Sequence, residues 1–108
     1  MADDREWLVL IQDQPDKFEA RRDTLPRHIE YYKPIRAADQ LIFAGPMLQN
    51  HTVTNNALPM NGSVLVLRLA DEEQVWGKLR ADPFCKEGIW DMDKITITPF
   101  KSTVRTPF

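Results

Sequence analysis

A histidine in the first third of this chain and an aspartate in a later turn form the pair of residues best suited to moving a proton at neutral pH. His28 lies in the segment Arg27-His28-Ile29-Glu30, and Asp82 is followed at once by Pro83. An imidazole accepts and returns protons near neutral pH, and a carboxylate can orient the ring and stabilise its charged form. If the fold joins the two side chains, the pair predicts a catalytic acid–base site.

Each of these residues also has a purely structural interpretation. His28 follows Leu25 by three residues and precedes Tyr32 by four, so it lies on or beside the apolar face of a predicted helix, where a histidine can simply be packed. An aspartate directly before a proline is typical of a helix N-cap, with the proline in the first turn. A capping aspartate can still face a cleft, so the two interpretations of Asp82 are compatible.

Other polar residues could bind a substrate beside such a pair. Arg21 and Arg22 precede His28 by seven and six residues, and a guanidinium binds carboxylate, phenolate or enolate oxygens through its planar fork. Tyr32 follows His28 by one helical turn and could donate to a developing oxyanion, while Ser63 opens a strand and offers a hydroxyl. We predict Arg22, Tyr32 and Ser63 as substrate-binding residues. The alternatives are that Arg22 is a solvated surface charge, that Tyr32 packs in the core, and that Ser63 is a turn residue at the end of a strand.

The remaining reactive and aromatic residues add little chemistry. His51 lies in a predicted loop and is an alternative acid–base residue, whereas Cys85 is interpreted as structural. Trp76, Phe84 and Trp90 wall either an aromatic pocket or the core. The two histidines lack the spacing of metal ligands, so we expect no metal site. Without a glycine-rich phosphate loop we expect no nucleotide or flavin cofactor.

The helices and strands that position these residues can be predicted from the apolar periodicity and from the proline, glycine and capping residues that begin or end each element. The pattern predicts strands at 7–11, 41–44, 64–69 and 95–98, a helical region from about 15 to 40 that kinks or restarts at Pro34, and a second helix at 72–81 capped by Asp71. Gly45-Pro46 is expected to end the second strand. Residues 47–61 are predicted to form a long loop, and the chain from Pro99 onward is predicted to be an irregular tail.

The order strand, helix, strand, strand, helix, strand predicts an α+β protein with the ferredoxin-like βαββαβ arrangement, a four-stranded antiparallel sheet with two helices on one face. The strands at 7–11 and 64–69 are apolar on both faces. An uncovered apolar sheet face is unfavourable in water. We therefore expect a homodimer that forms through the sheet, as in a dimeric α+β barrel.

Composition limits the remaining possibilities. The 108 residues predict a single domain over 1–101 with a C-terminal tail at 102–108. The apolar share of 43% and the charged share of 28% are ordinary for a soluble protein, and a net charge of −2 argues against nucleic-acid binding. No apolar run is long enough for a membrane span, and the acidic start does not read as a secretory signal. With a single cysteine, these features lead us to expect a cytoplasmic protein.

The chain resembles the YciI-like (YCII-related) domain family, relatives of the dimeric α+β barrels. The resemblance covers about residues 6–101 and rests on Gln12-Asp13, Arg21 and Arg22 before His28, Leu41-Ile42-Phe43-Ala44-Gly45-Pro46, Gly62-Ser63, Ala81-Asp82-Pro83-Phe84, Gly88-Ile89 and Ile97-Thr98-Pro99-Phe100. It implies a dimer whose cleft holds a catalytic histidine and aspartate, at the positions of His28 and Asp82. Relatives often carry an arginine three residues before the histidine, where this chain has Leu25.

The resemblance also implies a function. Some relatives eliminate HCl from chlorinated aromatics, and some fungal relatives resemble dehydratases of aromatic polyketide pathways. We therefore predict a cofactor-independent lyase, most simply a dehydratase, that acts on an aromatic or enolisable small molecule through His28 and Asp82. Isomerisation would use the same residues, and a non-catalytic dimer that binds a small molecule or a protein is the alternative from another class.

Overall fold

The computed structural model describes residues 5–104. Within this range the chain forms four strands and three helices, which are β1 (Glu6–Asp13), α1 (Phe18–Ala37), β2 (Leu41–Leu48), β3 (Met60–Arg68), α2 (Glu72–Ala81), α3 (Pro83–Lys86) and β4 (Trp90–Phe100). Among these residues no helix is both long enough and apolar enough to span a membrane.

The four strands form one antiparallel sheet in the order β2-β3-β1-β4. The two most apolar strands are therefore central, where both edges are hydrogen-bonded, and β2 and β4 are the edges. The predicted α+β, ferredoxin-like fold is confirmed. In the central pair Ile11 lies opposite Ser63, which is inside β3 and not at its start as predicted, because the strand begins at Met60.

The three helices cover one face of this sheet. Alternate residues of the central strands, such as Val9 and Leu65, point into a core that α1 closes with Tyr32 and Ile35 and α2 with Val75 and Leu79. The core also takes in Phe84, Ile89 and Trp90, from α3 and the start of β4. Burying these side chains supplies most of the stability of a domain of this size.

On the opposite face of the sheet, no helix formed by residues 5–104 covers the strands. Because side chains alternate along a strand, the strand register places Leu8, Leu10, Val64, Val66, Phe43 and Phe100 on this face. Leu10, Phe43 and Phe100 are 37%, 51% and 39% exposed. Val66 is fully buried between these neighbours, so the face predicted to be apolar is apolar and is open at Leu10, Phe43 and Phe100 in the single chain.

Helix α1 continues past Pro34, so the restart that was one of the two predicted outcomes does not occur. It runs without interruption through Pro26 and Pro34, although a proline inside a helix removes one backbone hydrogen bond and is worth about 3 kcal/mol of destabilisation. Thr24, Tyr32 and Ile35 bury one face of the helix against the sheet. Packing along this face holds both prolines within one helix, so tertiary contacts override the local preference.

Several predicted boundaries are also wrong. Gly45-Pro46 does not end β2, since Pro46 pairs with Ser63 and the strand continues to Leu48. An edge strand tolerates proline because one side of its backbone has no partner. The loop predicted at 47–61 is therefore shorter, the last strand is longer than 95–98, and part of the predicted tail is strand. Of that tail, residues 105–108 lie outside the described residues.

Gly62 allows β3 to approach β1 closely. A Cβ atom built on Gly62 would lie 2.6 Å from the carbonyl oxygen of Ile11, closer than non-bonded atoms tolerate. A side chain at this position would push the two central strands apart. Glycine here thus positions Ser63, the next residue, against the interior.

Candidate active site

His28 and Asp82 meet at the junction of α1 and α3. The Nδ1 atom of His28 lies 2.9 Å from Oδ1 of Asp82, whose side chain is fully buried. The same Oδ1 accepts a hydrogen bond from the backbone N–H of Phe84 at 2.8 Å, with Pro83 in the first turn of the helix. Asp82 is therefore both the N-cap of α3 and the hydrogen-bond partner of His28, while its part in catalysis stays a prediction.

This contact fixes which nitrogen of His28 carries a proton when the ring is neutral. A carboxylate only accepts hydrogen bonds, so Nδ1 bears the hydrogen that faces Asp82. The other ring nitrogen, Nε2, then presents a lone pair on the opposite edge of the imidazole. This arrangement suits a general base, because the ring is oriented and its charged form has a buried counter-charge.

Aromatic rings surround the imidazole. Phe84 stacks on His28 with ring centroids 4.0 Å apart and an interplanar angle of 10°. Tyr32 and Trp90 contact the ring edge-on, at 5.0 and 6.1 Å. Phe84 and Trp90 therefore belong to both the core and the site. Trp76 packs against the core but lines neither cavity beside His28, and its indole N–H donates to Glu72.

His28 forms part of a cleft between α1 and β2. Two adjoining cavities, of about 480 and 230 Å³, share His28, Ile29 and Ala44 in their walls. We call the two together the cleft. Ile29 is half exposed and lines both cavities. Leu25 lines the smaller cavity.

Tyr32 lines the larger cavity and also lies beside Asp82. Burial raises the pKa of its hydroxyl far above the ordinary value, and the charge of Asp82 raises it further. The phenol is therefore neutral at physiological pH and able to donate. Its Oη and the Oδ2 atom of Asp82 are both buried without a hydrogen-bond partner among residues 5–104.

Ser63 lines the smaller cavity and is part of a buried polar network. Its Oγ accepts from the guanidinium of Arg21 and, at 3.1 Å, from the indole N–H of Trp90. Arg21 also binds Asp13, with 2.7 Å between Nε and Oδ2, and donates to the carbonyl of Gly62 at 2.6 Å. The guanidinium carbon lies 4.6 Å from the ring centre of Phe84, on which His28 also stacks.

Arg21 and Arg36 line the smaller and the larger cavity of the cleft, whereas the sequence analysis selected Arg22. The two consecutive helical residues point in different directions, so Arg22 pairs with Glu19 on the surface and lines a separate cavity beneath the 49–59 loop. The sequence held a signal for Arg21, because Asp13 ends the neighbouring strand and offers it a carboxylate. A contact between Arg22 and a substrate stays a prediction for that separate cavity.

The other candidates lie away from the cleft. His51 is exposed in the 49–59 loop and lines neither cavity beside His28. Cys85 is partly buried in α3, where burial and then the charge of Asp82 raise the pKa of its thiol, as expected of an unreactive cysteine. Within residues 5–104, no three His, Cys, Asp or Glu side chains converge as a metal-ligand set would.

The sheet order and the single layer of helices define this chain as an α+β protein of the ferredoxin-like class, and a solved structure shares the fold. The 5-chloro-2-hydroxyhydroquinone dehydrochlorinase of Burkholderia phenoliruptrix AC1100, in complex with 2,5-dihydroxybenzoquinone, superposes with a TM-score of 0.77. It is 26% identical in sequence, and the match covers 89% of this chain and 93% of that one.

Residues 6–101 match the sequence profile of the YCII-related domain, and the chain belongs to this family. Aspercryptin biosynthesis cluster protein B of Emericella nidulans is 36% identical over 94% of this chain and 65% of its own length. Fusaric acid biosynthesis protein 2 of Gibberella fujikuroi is 35% identical over 91% of this chain and 94% of its own. The chain thus spans about two thirds of the first relative and nearly all of the second. The resemblance drawn from the sequence is confirmed.

Proposed function

We propose that this protein is an enzyme that modifies a small molecule, and more specifically a cofactor-independent lyase of the dehydratase type. The observation that carries the proposal is the contact between His28 and Asp82 at the wall of a cleft, which leaves Nε2 of His28 as a base. Relatives named for fungal biosynthesis and a dehydrochlorinase of the same fold support a small-molecule elimination.

The proposed step is an elimination from a ring that carries a carbonyl or phenol. Nε2 of His28 takes a proton from the carbon next to the carbonyl, and the C–H electron pair forms an enolate. The enolate expels the neighbouring hydroxyl, which takes the proton back from the imidazolium and leaves as water. Asp82 stabilises the imidazolium between the two transfers. A positioned base of this kind is worth about 10²–10⁴-fold in rate.

The cleft fits a substrate of this kind. Its walls are mainly apolar, and an aromatic cluster lies behind His28, so a flat ring can be bound with little water around it. Exclusion of water strengthens the interaction of His28 with Asp82. We propose further that the open apolar face of the sheet pairs with a second copy of the chain.

The test is a substrate screen with paired histidine variants. Wild-type protein, His28→Gln and His51→Gln are incubated with β-hydroxy cyclic ketones, and loss of water is followed by the ultraviolet absorbance of the conjugated product and by mass spectrometry. We expect turnover by wild type and His51→Gln and a loss of at least about 10²-fold in His28→Gln. An unchanged mass with a shifted absorbance would indicate isomerisation, and equal turnover by all three proteins would exclude His28 as the base.

A further inference from the structure

The hydroxyl oxygen of Ser63 accepts two hydrogen bonds, and its hydroxyl hydrogen has no acceptor among residues 5–104. A hydroxyl oxygen has two lone pairs and one hydrogen. Both lone pairs of Ser63 Oγ accept, one from Nη2 of Arg21 and the other from the indole nitrogen of Trp90. Among residues 5–104 no acceptor is placed for the hydroxyl hydrogen. Both partners are pure donors, so that hydrogen has to point away from them.

The hydroxyl is also rigid and polarised. Ser63 is 4% exposed, at a position fixed by the close approach of Gly62 to β1. The cationic guanidinium of Arg21 draws electron density from Oγ and makes the remaining O–H a stronger donor. Because Asp13 neutralises Arg21, this polarisation does not leave an isolated buried charge.

Ser63 and His28 line the same cavity of about 230 Å³, on β3 and α1 respectively. Trp90 connects them, since its indole donates to Ser63 and its ring meets the edge of His28. A small ring in this cavity therefore has a base on one wall and a fixed hydroxyl donor on another. Base and donor together are what proton removal beside a carbonyl requires.

We propose that Ser63 donates a hydrogen bond to the substrate oxygen on which negative charge develops. Its O–H binds the carbonyl or phenolic oxygen of the substrate while His28 takes the proton from the neighbouring carbon. This inference rests on the proposed function and narrows its substrate class to molecules with such an oxygen next to an acidic C–H bond. As the C–H bond breaks, its electron pair moves onto the substrate oxygen and the hydrogen bond from Ser63 strengthens. The serine keeps its own proton throughout.

The experiment measures binding of 2,5-dihydroxybenzoquinone, a ring with carbonyl and enol oxygens, by isothermal titration calorimetry and infrared difference spectroscopy. The proteins are wild type, Ser63→Ala, Ser63→Cys and Ser102→Ala, the last being a serine near the far end of β4. Loss of one hydrogen bond is expected to weaken binding about tenfold in Ser63→Ala and less in Ser63→Cys, with no change in Ser102→Ala. The carbonyl stretch of the bound quinone should lie at lower frequency in wild type and rise in Ser63→Ala.

The infrared shift distinguishes contact with the ligand from a structural role, because a loosened network would not by itself raise the carbonyl frequency. If Ser63→Ala does not fold, Ser63→Cys retains the side-chain size and gives the same comparison. Equal affinity and equal carbonyl frequency in wild type and the folded Ser63 variants would overturn the role of Ser63 and leave the proposed function standing. A wild type that binds no such quinone would overturn both.

Discussion

Replacement of Asp82 by asparagine separates the two tasks of this side chain. Asn and Asp are comparable N-caps, so Asp82→Asn retains the hydrogen bond from the N–H of Phe84 and with it the start of α3. What the variant loses is the negative charge beside His28. We therefore expect folding to persist while proton transfer fails.

The magnitudes follow from the contacts. The hydrogen bond between His28 and the charged Asp82 contributes about 1.5–3 kcal/mol. It is opposed by the penalty for burying the carboxylate of Asp82, whose Oδ2 lacks a partner among residues 5–104. These terms nearly cancel, so Asp82→Asn should change the free energy of unfolding by no more than about 1 kcal/mol. Asp82→Ala loses the cap as well, which adds about 0.5–2 kcal/mol of destabilisation. Turnover should fall by about 10²-fold or more in both variants.

The matched control is Asp71→Asn. Asp71 caps α2 by accepting from the N–H of Gln74 at 2.9 Å, and it is exposed and lines neither cavity of the cleft. Urea denaturation gives the stability of each variant, and turnover is measured on the hydroxy ketone that the wild type converts best. Wild-type turnover in Asp82→Asn would refute the reasoning, because the imidazolium would then need no counter-charge. A large loss of stability in Asp82→Asn with none in Asp71→Asn would show that the buried charge itself holds the fold.

Two further predictions concern pH and assembly. Since the pKa of Tyr32 is raised above its ordinary value of 10.0, the native state keeps a proton that the unfolded state loses, so stability should fall above that pH by up to about 1.4 kcal/mol per pH unit. Denaturation at alkaline pH should show a shallower decline in Tyr32→Phe, and identical slopes would contradict the burial of this phenol. Leu10→Glu, which places a charge on the open sheet face, should convert a dimer to a monomer in light scattering, whereas Val53→Glu in the exposed loop should not. A wild type that is monomeric at all concentrations would exclude the proposed homodimer.

The order of elements was predictable because each element has a local cause. Alternation and apolar runs in β1 and β3 specify strands, and Asp71 and Asp82 specify helix starts through contacts with residues two or three positions away. The length of β2 was not predictable in the same way. Its second half contains Gly45-Pro46, and only pairing with β3 keeps these residues in a strand.

The candidate site was predictable in part for the same reason. The types and order of His28 and Asp82 indicated proton transfer, but their contact joins residues 54 positions apart. Two expectations stay predictions: a single domain over residues 1–101 with a C-terminal tail at 102–108, and a cytoplasmic location.

The choice between Arg21 and Arg22 shows what could not be predicted from the sequence. Both are arginines on one helix, and the one signal in favour of Arg21 is the carboxylate of Asp13, which lies eight residues earlier in the chain. Neighbouring helical positions differ by about 100° around the axis, so only the packed orientation of α1 decides that Arg21 meets Asp13 and Ser63 while Arg22 meets solvent. The sequence by itself determined the elements, the apolar sheet and the chemical groups available. Tertiary structure decided which groups meet, because packing fixes helix rotation and strand register through contacts between residues that lie far apart in the chain.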